Sequence, residues 1–337
     1  MLLEVKNLKV YYKTTKGIVQ AVDDVTFSLE EGENLGLVGE SGCGKTTAVK
    51  AILRLFPTNI AHVSGTLEYS GQNILQMTFD ELSRIRWKEI SMIPQSAMNA
   101  LDPVYTIENQ ILEALQTHDK ISYPEALQKI YGLFDLVGLE KSRLKDYPHQ
   151  LSGGMVQRAC IAMALVCSPK IILADEPTTA LDVVVQDNIL QRINELHKKI
   201  GASMVLSSHD ISVIAETCDR VAVMYAGQFI EYASSRRIFG NPFHPYTLGL
   251  QQAFPNIKGT KKRLIAIKGY PPNLINPHRG CRFASRCPFR KEACVAKDPP
   301  LVEVEPLHFS RCIRSDAIDE IRRRASMEET WEGTELS

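Results

Sequence analysis

Two groups of residues have the types and spacing to handle a phosphate ester. The first is Gly39-Glu40-Ser41-Gly42-Cys43-Gly44-Lys45-Thr46, followed by Thr47, which fits the pattern G-x-x-x-x-G-K-[ST]. Small residues let backbone N–H groups wrap a phosphate, and a helix opening at the lysine adds the positive end of its dipole. Lys45 can reach β- and γ-phosphates, and the Thr46 hydroxyl can ligate Mg²⁺. The second group is Asp175-Glu176, which closes the apolar run Ile171 to Ala174. Asp175 is the natural Mg²⁺ partner of the loop, and Glu176 can orient or deprotonate a water attacking a γ-phosphate. The bland alternatives are a glycine-rich turn with a chance lysine and a polar turn before Pro177. Each loses weight because the other pattern is present in the same chain.

The elements that must position these groups can be read around them. Leu35 to Val38 is a short apolar run, as a buried parallel strand shows, and Ile171 to Ala174 is another. After Thr46, the residues Ala48, Ile52, Leu53 and Phe56 recur at helical spacing until Pro57, where the helix is expected to stop. A third strand, in "ASMVLSSHD", ends at His209. A lone histidine is more often a surface or satisfied core residue than a catalytic one. Three parallel strands would nevertheless bring His209 to the rim that carries Asp175 and Glu176, where ligands of open α/β sheets bind. Leu151-Ser152-Gly153-Gly154 then opens a further helix, with Ser152 in a capping position and two glycines baring the backbone. That is a second anion-binding device in one chain.

Composition sets limits. The chain has 337 residues, suited to two domains rather than one. Lys+Arg and Asp+Glu are 39 each, so no net basic charge argues for nucleic acid. The first residues lack the apolar stretch of a signal peptide, and no apolar run reaches the roughly 20 residues of a membrane span. Any membrane work is therefore expected to pass through a partner.

Of the eight cysteines, Cys43, Cys160, Cys167 and Cys218 are scattered, as buried thiols usually are. Cys281, Cys287, Cys294 and Cys312 cluster in a proline-rich segment, separated by five, six and seventeen residues. Bound metal would supply folding energy to such a segment. Zinc is the plain choice, but its paired ligands usually stand only about two to four residues apart. Four thiolates at wider gaps suit a [4Fe–4S] cluster, although the spacing matches neither common ferredoxin pattern. Four unliganded thiols are the remaining alternative.

The signature Leu151-Ser-Gly-Gly-Met-Val-Gln157, taken with the two phosphate patterns, resembles the ATP-binding cassette (ABC) ATPases. The resemblance extends to Gln95 in "SMIPQS", to "TALD" ending at Asp182, to His209 as a switch histidine and to Tyr12 as the aromatic residue against adenine, with Tyr11 the weaker choice. It implies an α/β fold with a RecA-like P-loop core, an antiparallel β subdomain and a helical subdomain at about 96–165. It also implies that Gln95, with Thr46 and Asp175, serves the Mg²⁺ ion, and that Glu176, His209 and Gln95 serve hydrolysis. Ser152, Gly153, Gly154 and Asp182 would act in trans, because two cassettes pair head to tail around ATP.

"NPFHPYT" at 241–247 and the cysteine segment resemble the dipeptide/oligopeptide importers of that family, in particular their D-type ATPase. Some of those ATPases hold a [4Fe–4S] cluster in this extension, which favours the cluster over zinc. The implied organisation is a cassette at 1–250, an extension at 251–320 and a polar tail at 321–337. The implied partners are a second ATPase, two transmembrane permease subunits and an extracytoplasmic binding protein, with this chain peripheral on the cytoplasmic face of the membrane. Nickel or oligosaccharide importers and a soluble non-transport ABC protein are the alternatives.

Overall fold

A computed structural model of the chain describes residues 1–177, 186, 201–253 and 267–332. Its described strands are β1 (Leu3–Thr14), β2 (Gly17–Leu29), β3 (Asn34–Val38), β4 (Ile60–Tyr69), β5 (Gln72–Asn73), β6 (Ile90–Ile93), β7 (Ile171–Asp175), β8 (Ser203–Ser208), β9 (Arg220–Tyr225), β10 (Gln228–Ser234), β11 (Val302–Glu305) and β12 (His308–Ser310). The helices that position the site are α1 (Lys45–Ile52), α2 (Phe79–Ile85), α3 (Ile107–His118), α4 (Tyr123–Val137) and α5 (Gly153–Leu165).

The larger sheet has the order β11-β12-β10-β9-β3-β8-β7-β6. Its five strands from β9 to β6 are parallel, and the other three join antiparallel. β3, β7 and β8 are buried at every position, which is why they read as continuous apolar runs rather than as alternating ones. Register does the positioning: Ile93 pairs with Ala174, Asp175 with Ser207, and Val38 with Ser208. The loops that follow β3, β6, β7 and β8 therefore leave the sheet in one row.

A second sheet, β2-β1-β4-β5, is antiparallel throughout, as the family resemblance implied. Its inward residues Val5, Leu8, Val25 and Phe27 share a core with Leu35, Ala48 and Ile52. On the other side of the large sheet, α3, α4 and α5 fall within the expected helical region. α4 starts on a capping box of Ser122 and Glu125 and ends on Gly138 at φ 68.

One expectation needs revision. Helix α1 ends at Ile52, short of Pro57, and Arg54 lies beyond it at φ 50. Arg86 donates to the Leu53 carbonyl from Nε (3.2 Å) and Nη2 (2.7 Å), so a cation meets the negative end of the helix. Leu53 is buried and Phe56 partly so, in an irregular segment rather than on a helix.

Residues 267–320 pack onto the cassette. The hairpin β11–β12 extends the core sheet, pairing Glu231 with Ser310 and Tyr232 with Phe309. Phe283, Phe289 and Ile318 belong to the same apolar cluster as the helices α3–α5.

Past residue 317 the chain is helical again. The helix Ile318–Ala325 buries Ile318, Ile321 and Ala325, a stripe at helical spacing that its arginines hide in the sequence. Trp331 is 1% exposed and meets Phe289 edge-on at 6.4 Å. It also covers Gly249, where a Cβ would come within 2.6 Å of its ring. Among the described residues, no helix is long and apolar enough to cross a membrane.

Candidate active site

The phosphate loop runs from the end of β3 to the start of α1. Gly39 passes close to a neighbouring strand: a Cβ there would lie 2.1 Å from the Met224 carbonyl oxygen. Gly44 caps α1 at φ 109, a conformation that favours glycine, and a Cβ would lie 2.1 Å from the Ala21 carbonyl. Ser41 and Gly42 are exposed at the loop's turn, while Cys43 is buried, with its thiol pKa raised by that burial. Lys45 is buried and folds back on its own loop. Its Nζ donates to the Gly39 carbonyl at 2.7 Å and the Glu40 carbonyl at 3.3 Å. Those carbonyls hold the ammonium where a phosphate oxygen could take it over.

Thr46 and Asp175 meet across the sheet, with Thr46 Oγ1 donating to Asp175 Oδ1 at 3.1 Å. Ser207 Oγ donates to the same oxygen at 2.6 Å. Asp175 Oδ2 is buried with no hydrogen-bond partner among the described residues. A buried carboxylate oxygen left open beside a threonine hydroxyl is a fitting cradle for a hard, oxygen-seeking cation such as Mg²⁺.

Glu176 follows β7 in the left-handed region at φ 45, with its N–H bonded to the Ser207 carbonyl at 3.0 Å. Non-glycine residues in this region are uncommon and gather at functional sites. The β6–β7 register places Gln95 beside it, and Gln95 Nε2 donates to Glu176 Oε2 at 3.0 Å. The β7–β8 register brings His209 from the other side, with Nδ1 at 3.4 Å from the same oxygen. His209 is well exposed, so the core-histidine reading does not hold.

Tyr12 lies over the start of α1, its hydroxyl donating to Thr47 Oγ1 at 3.2 Å. Burial raises its pKa. Tyr11 instead donates to Asp23 at 2.6 Å, which leaves Tyr12 as the ring facing the nucleotide-binding loop.

Ser152 caps α5, accepting from the Met155 N–H at 3.4 Å. Ser152 and Gly153 are exposed, and a Cβ on Gly153 would meet nothing within 4 Å. Gln157 fixes this helix to the site by donating to the Pro177 carbonyl at 2.7 Å. Asp182 lies outside the described residues.

Sequence reasoning missed Ser207. Its signal was present: in parallel register it is the residue of β8 opposite Asp175.

Cys281, Cys287, Cys294 and Cys312 all line one small cavity, with His244, Phe283 and Phe289 also on its wall. Burial pushes the Cys281 thiol up to about 11 and Cys312 to about 12, and raises Cys287 as well. Among the described residues, no group of three or more His, Cys, Asp or Glu side chains is arranged to hold a metal ion.

The parallel sheet, the glycine loop with Lys45 and Thr46, and the carboxylates of Asp175 and Glu176 define a P-loop nucleotide-binding protein. Residues 22–179 match the family described as "ABC transporter", and residues 230–294 match "Oligopeptide/dipeptide transporter, C-terminal region". The oligopeptide transport ATP-binding protein OppD of Escherichia coli (strain K12) is 42% identical over 315 residues, covering 93% of each chain. The dipeptide transport ATP-binding protein DppD of Bacillus subtilis (strain 168) is 45% identical, covering 87% of this chain and 88% of the relative. Among solved structures, the dimeric post-hydrolysis ATP-binding cassette MJ0796 bound to ADP and Pi aligns with a TM-score of 0.64 at 30% identity. It covers 69% of this chain and 99% of its own. The chain belongs to the ABC transporter family of ATP-binding proteins, and it carries the C-terminal region of the oligopeptide/dipeptide group.

Replacing Glu176 with Gln exchanges a carboxylate for a far less basic amide of the same shape while leaving Asp175 and the loop in place. Glu176→Gln is expected to bind MgATP like the wild type and hydrolyse it about 10²–10⁴-fold more slowly. Single-turnover hydrolysis measured beside equilibrium binding checks this, and wild-type turnover would contradict it.

Proposed function

We propose that this chain binds and hydrolyses MgATP as the ATP-binding subunit of an ABC importer for di- or oligopeptides. The observation that carries the hydrolytic reading is the carboxylate of Glu176 held between Gln95 and His209, beside the Thr46–Asp175 pair. Lys45 would exchange its loop carbonyls for phosphate oxygens, and Tyr12 would stack on the base. Mg²⁺, held by Thr46, Asp175 and Gln95, would neutralise charge on the phosphates. Glu176 would take a proton from the attacking water, and His209 would hold the γ-phosphate end.

The second half of the reaction lies in pairing. Ser152 and Gly153 present N–H groups at an exposed helix start, open to a phosphate carried by another cassette. Ser152, Gly153, Gly154 and Asp182 would thus complete the site of a partner ATPase, of this kind or a homologous one. The exposed Val104 and Tyr105, just ahead of α3, would suit a contact with permease subunits, and the chain would then sit peripherally on the cytoplasmic face of the membrane. The peptide substrate is argued from the C-terminal region and from the relatives named for oligopeptide and dipeptide transport. It would be delivered by an extracytoplasmic binding protein. Isolated from membranes in mild detergent, the chain is expected to bring two integral membrane proteins with it and to hydrolyse ATP faster when peptide-loaded binding protein is added. Isolation with ribosomes or nucleic acid instead would contradict the reading.

A further part of the proposal is that Cys281, Cys287, Cys294 and Cys312 hold a [4Fe–4S] cluster rather than zinc. The support is that all four cysteines line one small cavity, in a C-terminal region of the oligopeptide/dipeptide transporter kind. Zinc draws its sulfurs to about 2.3 Å from one ion, whereas a cluster keeps its thiolates apart around a larger body. Its role would be structural, or regulatory on a substrate-facing side. Anaerobically purified protein is expected to be brown, with about four irons per chain, and to lose colour and iron on any one Cys→Ser change. Colourless protein with stoichiometric zinc would overturn this part alone.

A further inference from the structure

Arg286 lies in the C-terminal segment, directly before Cys287, yet its side chain ends at the phosphate loop. It is 6% exposed, and Nη1 donates to both carboxylate oxygens of Glu40, at 3.0 and 2.9 Å. The guanidinium is held from three further directions. Nε donates to the Lys268 carbonyl at 2.9 Å, Nη2 to the Ile267 carbonyl at 3.2 Å, and Nη1 to the Tyr225 hydroxyl at 3.3 Å. Glu40 is fastened at its backbone too, where its N–H donates to the Tyr246 hydroxyl at 3.1 Å. Tyr246 and Tyr225 pack ring against ring at 4.6 Å. Two residues from beyond the cassette's core strands therefore grip the second residue of the phosphate loop.

The charge on Glu40 makes this grip consequential. A carboxylate beside a cradle for a triphosphate repels the ligand, and it does so strongly where water is scarce. Glu40 is also the residue whose carbonyl shares Lys45 with that of Gly39. We propose that Arg286 is a positioning residue for nucleotide binding, neutralising Glu40 and turning its carboxylate away from the phosphates, so that the affinity of the site depends on the C-terminal segment. The inference rests on the reading of residues 39–46 as the nucleotide site. It adds a residue that no motif contains, supplied from some 240 positions further along the chain.

The account gives opposite signs to two single changes. With Arg286→Gln, Glu40 stands unpaired beside the cradle, and the MgATP dissociation constant is expected to rise on the order of tenfold, with kcat at saturating ATP unchanged. With Glu40→Gln, the repelling charge is gone and the buried cation remains, so affinity is expected to stay level or improve. The double variant, neutral on both sides, is expected to recover most of the affinity lost in Arg286→Gln. The full-length protein is titrated with MgATP by calorimetry, with thermal unfolding recorded for each variant. Wild-type affinity in a folded Arg286→Gln protein would overturn the inference. So would a double variant as weak as Arg286→Gln, or a folded Glu40→Gln protein that binds tenfold more weakly. A wild-type chain that binds no MgATP would instead bring down the nucleotide-site reading itself, and this inference with it.

Discussion

The carboxylate of Asp175 ties the structure together. It ends a fully buried strand and is itself 1% exposed. One of its oxygens accepts from Thr46 on the first helix and from Ser207 on the next strand, while the other has no partner among the described residues. A buried carboxylate oxygen without a hydrogen bond costs free energy unless something else satisfies it. The parallel register of β3, β8 and β7 is what brings those hydroxyls to it, and the left-handed turn at Glu176 follows directly. The fold thus keeps open a position that the chemistry of phosphates and divalent cations would fill.

Around that centre the molecule is one packed body more than a cassette with an appendage. β11 and β12 prolong the sheet that carries the site, and Glu231 on β10 accepts from the N–H groups of Phe243 and His244 and from the ring of His308. That buried carboxylate joins the core sheet, the segment around 243 and the hairpin. His244 is fully engaged in the packing, with burial lowering its pKa to about 3, so it stays neutral where a charge could not be satisfied. Arg282 reaches Asp23 and the Ala226 carbonyl from the same cysteine-bearing segment, and Arg311 reaches Asp24 and the Phe229 carbonyl. Three buried arginines, Arg282, Arg286 and Arg311, anchor the C-terminal residues to the nucleotide-binding half.

Much of the site was legible because it depends on local rules. A glycine loop between strand and helix, carboxylates after an apolar run, and residues just beyond strand ends follow from short-range pattern and parallel pairing. Gln95, Glu176 and His209 converge for that reason. What escaped sequence reading depends on long-range pairing. Ser207 looked like an ordinary strand residue until register set it against Asp175. Arg286 and Glu40 are charged residues of common type, and nothing local marks them as partners. The terminal helix reads as polar and frayed because its charges outnumber the residues Ile318, Ile321 and Ala325 that it buries. Trp331 anchors it through a glycine more than 80 positions earlier. Helix α1 stops at Ile52, where Arg86, the residue just after α2, meets its carbonyl end from far along the chain.

On the proposed reading, Thr46 and Asp175, with Gln95, hold a divalent cation only once a nucleotide's phosphates are bound. Mn²⁺ in place of Mg²⁺ makes this directly visible, since its electron spin couples to bound ³¹P. Pulsed electron paramagnetic resonance of the full-length protein with Mn²⁺ and ATP is expected to show a single bound ion with phosphate couplings, absent without ATP and lost in Asp175→Asn. Mn²⁺ bound equally well without nucleotide, or phosphate couplings that persist in Asp175→Asn, would contradict the account.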